Sequence, residues 1–292
     1  MIRWTLVIVG SLAGATTVGA QTAVERGDYL INTIMACGNC HTPKDANGAA
    51  IVERALSGGG VTFTIPPFNG SAPNITPDRE TGIGNWSDDA IKRALTHGER
   101  PSNARLPGLQ LAVMAVPFFK ALLPEDQTAI FAYLRSIKPV RNAISDPIYR
   151  APVRHDHYPE ADAGYTPEMM RDPVKRGSYL VTIGHCMECH SPRERGVSDY
   201  SRLGKGGRKF SSEDVKGFPA SWPGATAANI TSHPEKGLGR WSDAEIKRAI
   251  TDGISRDVRR LQPPMAFAAY RGMTDTDLNS IVSYLRTVPP LE

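Results

Sequence analysis

Cys37-Gly-Asn-Cys40-His41 recurs, more than a domain's length later, as Cys186-Met-Glu-Cys189-His190. The two stretches use all four cysteines of the chain. Two thiols three positions apart reach the two vinyl groups of one porphyrin as thioethers, and the adjacent histidine then lies under the iron as its proximal ligand. C-x-x-C-H is the attachment signature of c-type haem. The pattern predicts two covalently attached haem c groups, bound through Cys37, Cys40, Cys186 and Cys189, with His41 and His190 on the irons. Other uses of paired cysteines explain less. The pairs of a four-thiolate zinc ribbon usually lie ~15–20 residues apart, and a thioredoxin-like pair needs a βαβ context that is not visible. A disulfide framework suits an exported chain but leaves both histidines without a role.

The haem motifs are equivalent points of an internal repeat. Arg26-Gly27-x-Tyr29-Leu30 returns as Arg176-Gly177-x-Tyr179-Leu180, and Asn74-Ile75-Thr76 as Asn229-Ile230-Thr231. Trp86 to Gly98 and Trp241 to Gly253 agree at nine of thirteen positions. Tyr133-Leu134-Arg135 returns as Tyr284-Leu285-Arg286. The blocks keep their order, so the chain reads as a duplication of one haem-binding unit; a solenoid would need three or more repeats.

Each unit reads as helices joined by long loops. Asp172 followed by Pro173 starts the helix before the second haem motif. Ser87 and Ser242 start the middle helices, the latter with a capping-box glutamate at Glu245, and Gly98 and Gly253 end them. The last helices begin at Pro124 and after Thr274. Ile130, Tyr133, Leu134 and Ile137, and Ile281, Tyr284, Leu285 and Val288, recur with helical spacing. Gly27 and Gly177, lacking side chains, allow the last helix to approach near Tyr133 and Tyr284. The Gly-, Pro-, Ser- and Thr-rich stretches at 57–74 and 197–228 read as loops around a haem edge. The Pro-rich stretch at 141–171 reads as a linker lying along the surface, with Tyr and Met residues available to pack.

A second axial ligand is expected for each iron. Met114 lies 73 residues after His41 and Met265 lies 75 after His190; each precedes the tyrosine of its last helix by 19. The shared spacing predicts Met114 and Met265 as distal ligands, a thioether that raises the potential. The bland alternative is that both fill the core. His97 ends a helix whose counterpart ends in Asp252, so it reads as a surface residue. His155, His157 and His233 read as solvent-facing, His185 as too constrained to cross to the distal side. Trp86, Trp241, Asn74, Asn229, Arg93 and Arg248 are candidates for the propionates, or structural anchors.

Residues 1–20 carry Arg3, an apolar stretch and Val18-Gly19-Ala20, the pattern of a signal peptide cleaved before Gln21. The expectation is export to the periplasm, the alternative being retention as an anchor. The formal charge of +4 is modest, and no basic stripe with interleaved aromatics suggests nucleic acid. Basic residues crowd the loop after the second haem motif: Arg193, Arg195, Arg202, Lys205, Arg208, Lys209 and Lys216. They form either a docking surface for an acidic partner or a solvated loop.

The two C-x-x-C-H motifs, the Asn-Ile-Thr and Trp-Ser-Asp runs, the methionines and the Tyr-Leu-Arg helices resemble the class I cytochrome c domain, twice. The chain is similar to the multihaem cytochrome c subunits of periplasmic alcohol, aldehyde, gluconate and related dehydrogenases. It departs from them in having two haem motifs where three are frequent, and Val113-Met114-Ala115 where a Pro-rich methionine loop is usual. The resemblance implies an all-α fold of two tandem cytochrome c domains, each wrapped around one haem: signal peptide 1–20, domain 21–140, linker 141–171, domain 172–292. It implies an electron-transfer protein rather than an enzyme, with a dehydrogenase subunit as donor, an oxidase or another cytochrome as acceptor, and membrane association through a complex. The alternative is a dihaem redox enzyme of peroxidase or thiosulfate-oxidising type, which needs an open axial position and an acid–base group.

Overall fold

Equivalent sequence blocks fold into equivalent elements. A computed structural model describes residues 21–101, 113–152, 156–194 and 196–292; the leader at 1–20, His155 and Arg195 lie outside these. The first helix, Ala23–Tyr29, is closed by a capping box between Thr22 and Glu25 and runs on through a wider turn at Leu30–Ile34. Its counterpart, Pro173–Ile183, is capped by Asp172, whose side chain accepts from the Lys175 N–H. The middle helices are Asp88–His97 and Asp243–Asp252, capped by Ser87 and Ser242 and ended by Gly98 and Gly253 in the left-handed region. The terminal helices are Pro124–Ser136 and Asp275–Thr287. Among the described residues no helix is long and apolar enough to cross a membrane.

First and terminal helices cross at a glycine. A Cβ on Gly27 would lie 2.0 Å from the Ala129 carbonyl oxygen and 2.7 Å from Tyr133 Cβ. On Gly177 it would lie 1.9 Å from the Ser280 oxygen and 2.8 Å from Tyr284 Cβ. Beside each crossing an arginine of the first helix holds a buried aspartate of the terminal helix. Arg26 Nε lies 2.8 Å from Asp126 Oδ1, and Arg176 Nε 2.6 Å from Asp277 Oδ1. The hydroxyl of Tyr179 then donates across the repeats to Asp126 at 2.5 Å, and that of Tyr29 to Asp277 at 2.7 Å. Most buried apolar residues of both repeats form one contiguous cluster, and Val61, Val215 and Trp222 form a second.

The all-α expectation is corrected here. Thr62–Ile65 and Phe68–Ser71 form an antiparallel hairpin around Pro66 and Pro67. Thr62 and Phe63 also pair with Lys216 and Val215 of the second repeat, and Phe68 and Asn69 with Tyr149 and Ile148. The resulting four-stranded sheet joins both repeats and the segment between them. Two further two-stranded sheets pair Arg193–Glu194 with Val197–Ser198 and Lys209–Phe210 with Ala225–Thr226. Most of these strands are two residues long, too short to show a period of two. Several of their partners are distant in sequence, and the abundant Gly and Pro read as loop. The one local signal is the β-branched and aromatic run Val61 to Ile65. Nor does the stretch at 141–171 only line the surface: Tyr158 is 0% exposed, its ring 4.5 Å from that of Phe118 and 5.1 Å from that of Tyr200.

Gly177→Ala puts a methyl group against backbone that cannot turn aside. Its expected cost is about 1–3 kcal/mol, the range for overpacking, read as a lower urea midpoint. An unchanged midpoint would mean that the helix crossing is looser than the geometry states.

Candidate functional site

Each Cys-x-x-Cys-His stretch forms a single helical turn, Gly38–His41 in one repeat and Cys186–His190 in the other. The residue before the first cysteine is left-handed in both: Ala36 has φ 48° and His185 φ 44°. That conformation costs an L-residue roughly 1–2 kcal/mol. Strain at the same position of both repeats bends the chain sharply from the first helix into the cysteine turn. It also fixes His185, whose Nδ1 lies 3.4 Å from Glu188 on its own turn.

The two histidines are held identically. His41 Nδ1 is 2.7 Å from the Pro73 carbonyl oxygen, and His190 Nδ1 is 2.7 Å from that of Ala228. A carbonyl only accepts, so this partner assigns the hydrogen to Nδ1 and leaves the Nε2 lone pair available to a metal. Burial lowers the pKa of both rings, against the opposing effect of these hydrogen bonds, which favours the neutral, ligating form. Burial pushes the thiols of Cys37, Cys186 and Cys189 up to about 12 and that of Cys40 to about 11. None of the four is in a disulfide. Among the described residues no group of three or more His, Cys, Asp and Glu is placed to hold a metal ion, so the cysteines do not assemble a zinc-type cluster.

Asn74 and Asn229 hold the carbonyls in place. Asn74 Oδ1 accepts from the Thr76 N–H at 2.9 Å and hydroxyl at 2.8 Å, and its Nδ2 donates to the Val140 carbonyl at 2.7 Å. Asn229 does the same with Thr231, at 2.9 and 2.6 Å, and with the Leu291 carbonyl at 2.6 Å. Each asparagine directly follows the residue whose carbonyl orients the histidine. Both side chains are engaged within the chain, so of the two readings of Asn74 and Asn229 the anchor is the one their bonds support. Arg135 and Arg286, repeated in the sequence but given no role there, bind the entrance of the middle helices. Arg286 donates to the carbonyls of Leu238, at 2.9 Å, and Trp241, and to Asp243 at 2.7 Å. Arg135 makes the matching set with Ile83, Trp86 and Asp88.

In the first repeat, Cys37, His41 and Met114 line one cavity, with Trp86 and an apolar wall that includes Ile31, Leu95, Ile130 and Leu134. A neutral imidazole, a thioether and a cysteine around an apolar cavity form a donor set that fits haem iron and its porphyrin. In the second repeat, Cys186, Cys189 and His190 share one turn. Met265 lies two residues before the Phe267–Tyr270 helix, next to its N-cap residue Ala266. Tyr270 on that helix has its pKa raised by burial first, then by Cys186, Cys189 and Cys40.

Other expectations resolve locally. His97 is exposed at its helix end. The Nδ1 of His233 accepts from the N–H groups of Glu235 and Lys236. Arg93 pairs with Glu99, and Arg248 donates to the Ser255 carbonyl. The basic loop is partly neutralised by its own carboxylates. Arg202 binds Asp199 and Glu194, and Arg208, its side chain 14% exposed, donates to the Glu188 carbonyl. This favours the solvated loop over a docking surface.

Residues 174–289 match the sequence profile of the family described as Cytochrome c. Over most of the chain there is similarity to curated relatives. The gluconate 2-dehydrogenase cytochrome c subunit of Pantoea cypripedii is 29% identical over 307 residues, covering 96% of this chain and 64% of the relative. The fructose dehydrogenase cytochrome subunit of Gluconobacter japonicus is 30% identical over 288 residues, covering 92% and 53%. A diheme cytochrome c-type protein of Cereibacter sphaeroides is 29% identical over 277 residues, covering 88% and 83%. The chain thus spans less than two thirds of the two dehydrogenase subunits.

Asn229→Ala strips the Leu291 carbonyl and the Thr231 N–H of their buried partner. The expected loss is about 1–3 kcal/mol of stability, measured by thermal or urea unfolding. A loss within error would reduce the asparagine to a surface role.

Proposed function

We propose, from the match of residues 174–289 to the Cytochrome c family and the paired sites, that the chain is a dihaem electron-transfer subunit. Cys37 and Cys40 attach one haem c, Cys186 and Cys189 the other. His41 and His190 are the proximal ligands, Met114 and Met265 the distal ones. The observation that carries this reading is the matched pair of histidines, each aimed through an Nδ1–carbonyl bond, each one residue beyond a half-buried cysteine pair. The duplication supports a count of two, as does the likeness to a protein named as a diheme cytochrome.

Haem c, when bound, supplies one-electron iron chemistry between the ferrous and ferric states. The chain's residues bind it, orient its axial ligands and shield it. The carbonyls of Pro73 and Ala228 fix the imidazole rings, and the buried walls keep the surroundings apolar. In this reading the chain carries electrons for a partner and turns over no substrate of its own. The proposed donor is the catalytic subunit of a periplasmic dehydrogenase, as the named functions of the relatives suggest. The proposed acceptor is an oxidase or another cytochrome, reached in a complex at the membrane. The signal-like stretch at 1–20 supports export to the periplasm.

The intact mass of the mature protein should exceed that of its polypeptide by two haems, and Cys189→Ser should compromise attachment in the second repeat alone. A mass carrying one haem or none refutes the count. Met265→His should abolish one haem's share of the weak ferric Met–His band at the red end of the visible spectrum and lower that haem's potential. An unchanged spectrum would reject Met265 as a ligand, and a high-spin ferric component in the unmodified protein would reject the carrier reading.

A further inference from the structure

The second repeat's methionine loop is restrained from outside its own haem unit. Asn39, between the two haem cysteines of the first repeat, donates from Nδ2 to the Pro264 carbonyl at 2.8 Å. Trp222 donates from Nε1 to the Pro263 carbonyl at 3.1 Å. These two consecutive carbonyls immediately precede Met265. Trp222 is 5% exposed, stacks near the Phe218 ring and belongs to a buried cluster with Val61 and Val215, against which Cys40 also packs. It ends a segment with no equivalent in the first repeat: His190 to Asn229 spans 39 residues, His41 to Asn74 only 33. That segment is pinned to the first repeat where Val215 and Lys216 pair with Phe63 and Thr62.

The residues involved differ between the repeats. The counterpart of Asn39 is Glu188, a carboxylate that cannot donate and that faces His185 and Arg208. Met114 is preceded by Val113, without the prolines. We propose that Asn39 and Trp222 are positioning residues for Met265. The haem-attachment turn of the first repeat, with the strap at 211–222, holds the distal ligand loop of the second haem, so that the axial ligation of one haem is built partly by the site of the other. This rests on the reading of Met265 as a distal ligand. A loop with both carbonyls tied presents the thioether in one place. A loop with either bond removed leaves a buried or half-buried carbonyl short of a donor, and the loop shifts to find water.

The test uses the holoprotein, with intact mass confirming two haems. Met114→His and Met265→His assign the two potentials. Asn39→Ala and Trp222→Phe are then made singly and over Met265→His; the phenylalanine keeps the buried ring and removes only the N–H. The expected result is a reduced Met–His band for the second haem and a downward shift of its potential, with the first haem's potential unchanged. Over Met265→His neither change should shift the second potential further, because the thioether they place is gone. If Met265→His removes its share of the band while Asn39→Ala and Trp222→Phe leave band and potential intact, the positioning role is refuted and the ligand reading survives. If the shift appears in the first haem, or persists undiminished over Met265→His, the two side chains act on something other than the methionine. If Met265→His itself changes nothing, the ligand reading fails and the positioning role with it. Should Asn39→Ala fail to attach the first haem, Trp222→Phe, outside the attachment motif, decides the matter alone.

Discussion

Asp126 and Asp277, 2% and 1% exposed, are the charges this interior has to accommodate. Taking a carboxylate out of water costs several kcal/mol unless it is paired and its lone pairs are satisfied. Arg26 and Arg176 supply the charge from within each repeat, and Tyr179 and Tyr29 supply hydrogen bonds from the opposite one. Burial, with help from Asp277, pushes the Tyr29 hydroxyl up to about 12, so it remains a donor at neutral pH. The reciprocity matters. Separating the repeats would strip both carboxylates of a donor at once, so the two haem-binding units are fixed as a pair rather than tethered as beads. The same four helices meet at Gly27 and Gly177, where no other residue leaves room for the arginine to reach the aspartate.

From these helices the site follows by a short relay. Each terminal helix leads, seven residues past Tyr133 or Tyr284, to Val140 or Leu291. Those carbonyls receive Asn74 and Asn229, and the residue before each asparagine offers its carbonyl to the histidine. The imidazole is therefore aimed by backbone that traces back to the terminal helix, not by a neighbouring side chain free to rotate. A second line runs from the first helix through the left-handed Ala36 or His185 into the cysteine turn. One route places the cysteine–histidine turn and the other orients the imidazole on it, and both start at the helices of the glycine crossing.

Much of this was legible in residues. The caps at Ser87, Ser242 and Asp172, the stops at Gly98 and Gly253 and the helix approach at Gly27 and Gly177 are local chemistry, and local chemistry reads well. The asparagines were visible as a repeat, but their role was not, because it depends on a carbonyl some sixty residues away. The two-residue strands were hidden for the same reason: Val215 has no reason to be extended until Phe63 lies beside it. Arg208 shows the opposite error. Counted with its basic neighbours it suggests a docking surface, yet it is mostly buried against Glu188. Tyr158 lies in a Pro-rich stretch and still fills the core between Phe118 and Tyr200, since burial is decided by what surrounds a ring and not by the composition of its own segment.

Duplication would by itself make two sites alike. The helices, the reciprocal aspartates, the asparagine anchors and the arginine clamps obey it closely. Among the described residues three departures lie close together: the extra residues before Asn229, the prolines before Met265 and the exchange of Asn39 for Glu188. They meet where Asn39 and Trp222 donate to the carbonyls of Pro264 and Pro263. The symmetric interactions hold the two repeats together, and these act on the methionine loop of the second. A difference between the two sites is therefore built in where the repeats touch each other.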